Sequence, residues 1–364
     1  MDLRRPSNFR RSIGRRTVLG TIAAPFLTAI AGRWVEAADY KPTPLTPKQK
    51  VSVGLLNGSS DAALFVAADR GYFEDEGLDV DLTPFKSSTD MLPILGRGQL
   101  DVGAGGVAAG LFNAVARGIP LKIVADKGHM PGPHGDEYST LMVRKELLST
   151  GKIRSYADLK GTRIALVGGL GSTGAFALAK ALSNGGLSMK DVTTVSMVYP
   201  DLIPAFANGS VDAAIVIEPF QTLIETQGTG VIWKTYSELF GHPSQIAVIF
   251  YSSSFAGKED LARRFMIAYL RGARGYNDAF GKRHDHYAEI VDIIVKHTRQ
   301  KAQIIEDTRP PGIDPDGRVL MVSLQEQLDF FTRAGQIEKT VDLSSAVDRS
   351  FADFAVGKLG PYRA

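Results

Sequence analysis

Cysteine is absent from all 364 residues. That single absence excludes disulfide staples, Fe–S clusters, c-type haem attachment and a lipid-anchored cysteine together. No G-x-x-x-x-G-K-[ST] loop occurs, so ATP is not held in the P-loop manner. Ser172 lacks a glycine two residues before it, so it is no nucleophile elbow. After the N-terminal segment, no hydrophobic run is long enough to cross a bilayer. A basic surplus is missing too, once its source is located. The formal charge is +3, but residues 1–37 hold seven arginines against Asp2 and Glu36, which leaves the remainder at −2. Nothing here points to nucleic acid.

That N-terminal segment reads as an address. Arg15-Arg16 is a twin arginine, followed by the apolar run Thr17 to Ala31. The run is too short for a comfortable transmembrane helix and is closed by Arg33. Val35-Glu36-Ala37 offers a cleavage site after Ala37. Residues 1–37 are therefore expected to be a twin-arginine export signal. Residues 38–50, with three prolines in "KPTPLTPKQK", are expected to be an extended leader.

From Val51 the apolar pattern alternates between strand and helix. Strands are expected at 51–56, 78–83, 101–104 and 121–126, with helices at 61–70, 89–97 and 107–117 between them. A second alternation places strands at 162–167, 193–199 and 211–217 and helices at 172–184 and 201–208. This grammar means βαβ units and parallel sheets. The chain also repeats itself: "DMLPILGRGQLDVG" (Asp90 to Gly103) aligns without gaps on "DLIPAFANGSVDAA" (Asp201 to Ala214). Each copy reads as a helix with Asp near its start, Pro in its first turn and Gly98 or Gly209 closing it, followed by a buried strand. Two lobes of like topology follow. Strand 246–251 is expected to return the chain to the first lobe, and helices near 258–280, 284–298, 317–334 and 343–356 to cover that lobe's sheet.

In such sheets, ligands bind beyond the carboxyl ends of the strands, where helix N-termini present free N–H groups. The chain fills those places with Gly58-Ser59-Ser60, Ser87-Ser88-Thr89, Gly105-Gly106 and Gly171-Ser172-Thr173. Each alone is a plain helix cap; four together make an anion-accepting cleft. Gly169, Gly171 and Gly174 do spell G-x-G-x-x-G, but the next strand ends in Tyr199-Pro200 rather than the acidic residue a dinucleotide's ribose requires. The turn reads better as a cradle for a smaller anion. Phe85, Tyr199 and Phe220 are candidates to pack on its organic part. His129 and His134, in a Pro/Gly loop, either line the cleft or are hinge-loop residues. Glu218 either holds a cationic group of a zwitterion or caps the helix starting at Pro219. His284 and His286 point apart on a helix and form no metal pair; no metal and no cofactor are expected.

With "AADRGYFEDEGLDVDL" (Ala67 to Leu82), "GQLDVGAGG", "DLKGTRIALVGGLGSTGAFAL" and "GSVDAAIVIEPF", the chain resembles the periplasmic substrate-binding proteins of ABC importers. The resemblance is to the nitrate, sulfonate and taurine group with its thiamine-precursor branch, over about residues 51 to 255. It implies an α/β, two-lobed periplasmic binding protein fold, each lobe a mainly parallel sheet flanked by helices, with the ligand cleft between. Lobe 1 would span 51–127 plus 247–364 and lobe 2 138–240, with hinges near 128–137 and 241–246. Ser59, Ser60, Ser87, Ser88, Thr89, Gly105, Gly106, Ser172 and Thr173 match ligand-facing turns, and Tyr199 and Glu218 the mouth of the second lobe. The implied activity is capture of a small organic anion or zwitterion by lobe closure and delivery to an ABC permease, by a soluble periplasmic monomer that is not an enzyme. Two departures, Val107-Ala108-Ala109 after the third-strand glycines and Ile217 before Glu218-Pro219, imply a less polar wall. The competing readings are an exported nucleotide-dependent oxidoreductase using Gly169 to Gly174, and a binding module that serves a sensor.

Overall fold

The structure is a computed structural model and describes residues 40–131, 137–281, 283–339 and 341–363. The export signal and His134 lie outside the described residues. Two five-stranded sheets organise the rest. In the first the order is β2 (Leu78–Pro84), β1 (Gln49–Leu55), β3 (Val102–Gly106), β10 (Ser244–Tyr251), β4 (Lys122–Met130). In the second it is β7 (Thr193–Met197), β6 (Arg163–Val167), β8 (Ala213–Ile217), β5 (Ser139–Arg144), β9 (Gly230–Thr235). The orders correspond strand for strand. β1 pairs in parallel with β2 and β3, as β6 does with β7 and β8. One antiparallel strand, β10 or β5, then links the third strand to the edge. Helices flank both sheets, making a two-lobed α/β fold, and both sheets belong to one compact unit.

The internal repeat now has a physical meaning. Asp101 accepts hydrogen bonds from the N–H and hydroxyl of Ser52 in β1, both at 2.9 Å. Asp212, its counterpart, accepts from the N–H of Arg163 in β6 at 2.9 Å. Each carboxylate ties the turn before the third strand to the first strand of its own sheet. Gly98 and Gly209 sit at φ +67° and +72°, a left-handed conformation that costs glycine nothing. The prolines are not in first turns, however. The helices run Ser88–Gly96 and Tyr199–Asn208, so Pro93 and Pro204 fall in the second turn of each.

Several other departures come from long-range pairing. β5 and β9 were not expected. β5, "STLMVR", is buried along nearly its whole length between β8 and β9, and a short apolar run without periodicity gives no local strand signal. The helix expected at 343–356 is two, Leu343–Ala346 and Ser350–Leu359. Between them Val347 is extended and bridges Ile123 at the edge of β4. His284 and His286 both have positive φ and precede the helix Tyr287–Thr298 rather than lying on it. β4 runs on to Met130 and β10 begins at Ser244, so the chain segments that cross between lobes start as paired strand. The long helix Glu259–Phe280 buries Phe265, Ala268 and Tyr269 in the core of the first lobe. No helix among the described residues is long and apolar enough to cross a membrane.

Candidate functional site

Two serines do the same job on opposite lobes. Ser87 follows β2 and caps the helix Ser88–Gly96, its Oγ accepting the Asp90 N–H at 3.3 Å. Ser172 follows β6 and caps the helix Thr173–Asn184, accepting the Ala175 N–H at 3.3 Å. A capped N-terminus presents unpaired N–H groups and the positive end of the helix dipole. Both ends open onto one cavity of about 60 Å³ between the lobes. Ser88, Thr89 and Gly106 line it from the first lobe, Thr173 and Tyr199 from the second.

The lobes touch around this cavity. Thr89 Oγ1 donates to the Gly168 carbonyl at 3.3 Å. Thr173 Oγ1 donates to the Val107 carbonyl at 2.7 Å, and Ala108 bridges Ser172. The glycine turn after β6 thus spends its polar groups on the opposite lobe.

One end of the cavity is polar. Lys127 on β4, 1% exposed, places Nζ 2.7 Å from Asp61 Oδ1 and 2.8 Å from Ser60 Oγ. Asp61, fully buried, also accepts the Gly58 N–H at 2.9 Å. The three tyrosines Tyr138, Tyr199 and Tyr236 line the same cavity. Burial pushes their hydroxyls up from the usual phenol range, so they remain protonated and neutral near pH 7. Leu56, Val107, Ile215, Ile217 and Ile246 supply the apolar wall, in keeping with the Val107-Ala108-Ala109 and Ile217 departures.

The remaining expected residues are placed elsewhere, each for a visible reason. Ser59 is buried beside Ser60 but turns its N–H to the Glu218 carbonyl at 3.4 Å. Gly105 acts by lacking a side chain, since a Cβ there would collide with Ser88 Oγ. Gly171 packs toward Ala109 of the other lobe. Phe85 folds back over Gly54 of β1 and against the first lobe's core. Phe220 stacks behind Tyr199, ring centroids 5.4 Å apart. His129, expected in a loop, is part of β4, its backbone paired with Gly312 and its Nδ1 2.9 Å from Asp126 Oδ2. Glu218, fully buried, neither faces the cavity nor is free for a ligand cation. It takes the Thr222 N–H at 3.1 Å, as the helix-cap reading expected, and pairs with Arg309 at 3.1 Å.

Lys127, Asp61, Tyr138 and Tyr236 were not singled out from the sequence. The fourth strand was expected to stop at 126, one residue short of Lys127. Tyr138 immediately precedes β5, which has no local signature.

A model of the family described as NMT1/THI5 like matches residues 59–279. The chain is 26% identical over 351 residues to a putative aliphatic sulfonates-binding protein of Bacillus subtilis (strain 168), covering 93% of this chain and 96% of that protein. It is 30% identical over 158 residues to the 4-amino-5-hydroxymethyl-2-methylpyrimidine phosphate synthase of Schizosaccharomyces pombe, a match spanning 43% of this chain and 41% of that enzyme. The alkanesulfonate-binding protein SsuA from Xanthomonas axonopodis pv. citri, bound to MOPS, superposes with a TM-score of 0.65 at 21% identity, over 83% of this chain and 98% of that one. The structural likeness bears on the fold, and the family match extends over more than half the sequence. The chain belongs to the NMT1/THI5-like family.

Proposed function

We propose that this protein is an extracytoplasmic solute-binding protein that captures a small organic anion or zwitterion between its lobes. The observation that carries the reading is the convergence of two capped helix N-termini, at Ser87 and Ser172, on one enclosed cavity from opposite lobes. Such ends favour negative charge without a metal or cofactor. Contacts from both lobes then stabilise the closed form, which an inner-membrane ABC permease reads. The hydroxyls of Thr89, Ser87, Ser172 and Thr173 donate within the protein. Ser60, Ser88 and the free N–H groups at the helix starts after Ser87 and Ser172 therefore orient the acidic group, and Tyr199 packs on its body. No bond is made or broken. The twin arginine and the Val35–Ala37 cleavage pattern support export to the periplasm, where the mature chain would act as a monomer. Similarity to sulfonate-binding relatives supports the solute-binding role.

The test is thermal unfolding against sulfonates, nitrate, aliphatic and aromatic carboxylates, aminopyrimidines, NAD(P) and FAD. Ligand at about 100 times its Kd adds roughly 2.7 kcal/mol and raises Tm by several degrees. A rise with one class of organic anion supports the reading. A rise with NAD(P) or FAD alone overturns it in favour of an oxidoreductase.

A further inference from the structure

The charge in the cavity wall is arranged to count. Lys127 is the only charged residue among those lining the cavity in the described structure. Asp61, directly behind it at 2.7 Å, neutralises it within the wall. An ammonium has three N–H groups; one goes to Ser60 Oγ and Asp61 Oδ1 stands at ion-pair distance, which leaves at least one for a ligand. Beside them Tyr138, 1% exposed, has a hydroxyl with no hydrogen-bond partner among the described residues. Gly128 makes room for it: a Cβ there would stand 2.5 Å from Tyr138 Oη and 3.1 Å from Ser60 Cβ. A buried donor without an acceptor is unfavourable. One ligand oxygen at this end would satisfy Lys127 and Tyr138 together.

We infer that Lys127, neutralised by Asp61, acts with Tyr138 as the specificity determinant of the cavity and admits ligands bearing a single negative charge. The inference rests on the solute-binding reading above. A monoanionic carboxylate or sulfonate takes the remaining N–H, the tyrosine hydroxyl and the helix-end potential. A dianion brings a second charge for which the wall has no counterpart, and burying it uncompensated is costly. A neutral isostere forgoes the charge-assisted bond.

The experiment is a thermal-shift and calorimetric series on three isosteres, ethanesulfonamide, ethanesulfonate and ethylphosphonate, at a pH where the phosphonate carries both charges. Propionate separates a carboxylate preference from a sulfonate one. One or both monoanions should bind the unaltered protein at least about tenfold tighter than the phosphonate and the sulfonamide. Asp61→Asn, which unmasks the lysine charge, should improve phosphonate binding relative to ethanesulfonate. Lys127→Met combined with Asp61→Asn removes both charges without stranding either, and should lose the monoanion preference. Tyr138→Phe, which leaves the charges in place and keeps the ring, should weaken the monoanions about tenfold. Equal binding of phosphonate and ethanesulfonate, or a double variant that still prefers the monoanion, overturns the inference while leaving the solute-binding reading intact. Failure of every anion to bind the unaltered protein overturns both.

Discussion

His129 lies where β4 leaves the first sheet and pairs through its backbone with Gly312. Burial would lower its pKa, but Asp126 and then Asp314 outweigh that and raise it above the usual imidazole value. The fold therefore prefers the charged ring. That stabilisation is fully present below the unfolded pKa of about 6.5 and is lost as pH rises through the raised folded value. The Tm difference between the natural protein and His129→Gln should be largest near pH 6 and shrink toward alkaline pH. A pH-independent difference would show that the ring is not charged there. The repeated aspartates make a second local prediction. Asp101→Ala removes an acceptor oxygen that takes two hydrogen bonds from Ser52, and should cost about 1–3 kcal/mol in urea unfolding. Asp212→Ala, with its own strand contact to Arg163, should act in the same direction.

The helix starts after β2 and β6 were readable because their signals are local. Ser87 and Ser172 lie three residues from the N–H groups they accept, and Gly98 and Gly209 close their helices by their own backbone conformation. Ser172→Ala should cost about 1 kcal/mol of stability through the lost cap and also weaken ligand binding; unchanged affinity would remove Ser172 from the site. Gly105 marks a different kind of constraint, set by Ser88 passing over β3. Gly105→Ala should destabilise by about 1–3 kcal/mol, as overpacking does. Elements whose existence depends on a distant partner were not readable. β9 forms because β5 offers it an edge, and the break at Val347 occurs because β4 does.

Across the molecule, Arg309 links segments far apart in the chain. It follows the helix Ala302–Asp307 and donates to Glu218 at the end of β8 and to Glu225 on the helix Phe220–Thr226. Glu218 is buried and Arg309 one-third exposed, so removing Arg309 leaves a buried carboxylate without its cation. Arg309→Met should therefore destabilise in urea unfolding, by about 1–2 kcal/mol once solvent screening of the exposed arginine is counted. Arg309→Met combined with Glu218→Gln should recover much of the loss. Equal losses in the two variants would show that Glu218 does not depend on Arg309.

The order of residues along the chain was enough to establish α/β alternation, the duplicated helix–strand unit and the helix caps at Ser87 and Ser172. Each of those depends on neighbours within a few positions, where backbone sterics and capping act. The identity of the cavity's polar end was decided by folding. Lys127 meets Asp61 only when β4 is laid into the first sheet, and Tyr138 comes over Gly128 only when the second lobe packs against it. A buried charge is tolerable only beside its counter-charge. That pairing is a property of packed strands, and no spacing in the linear chain announces it.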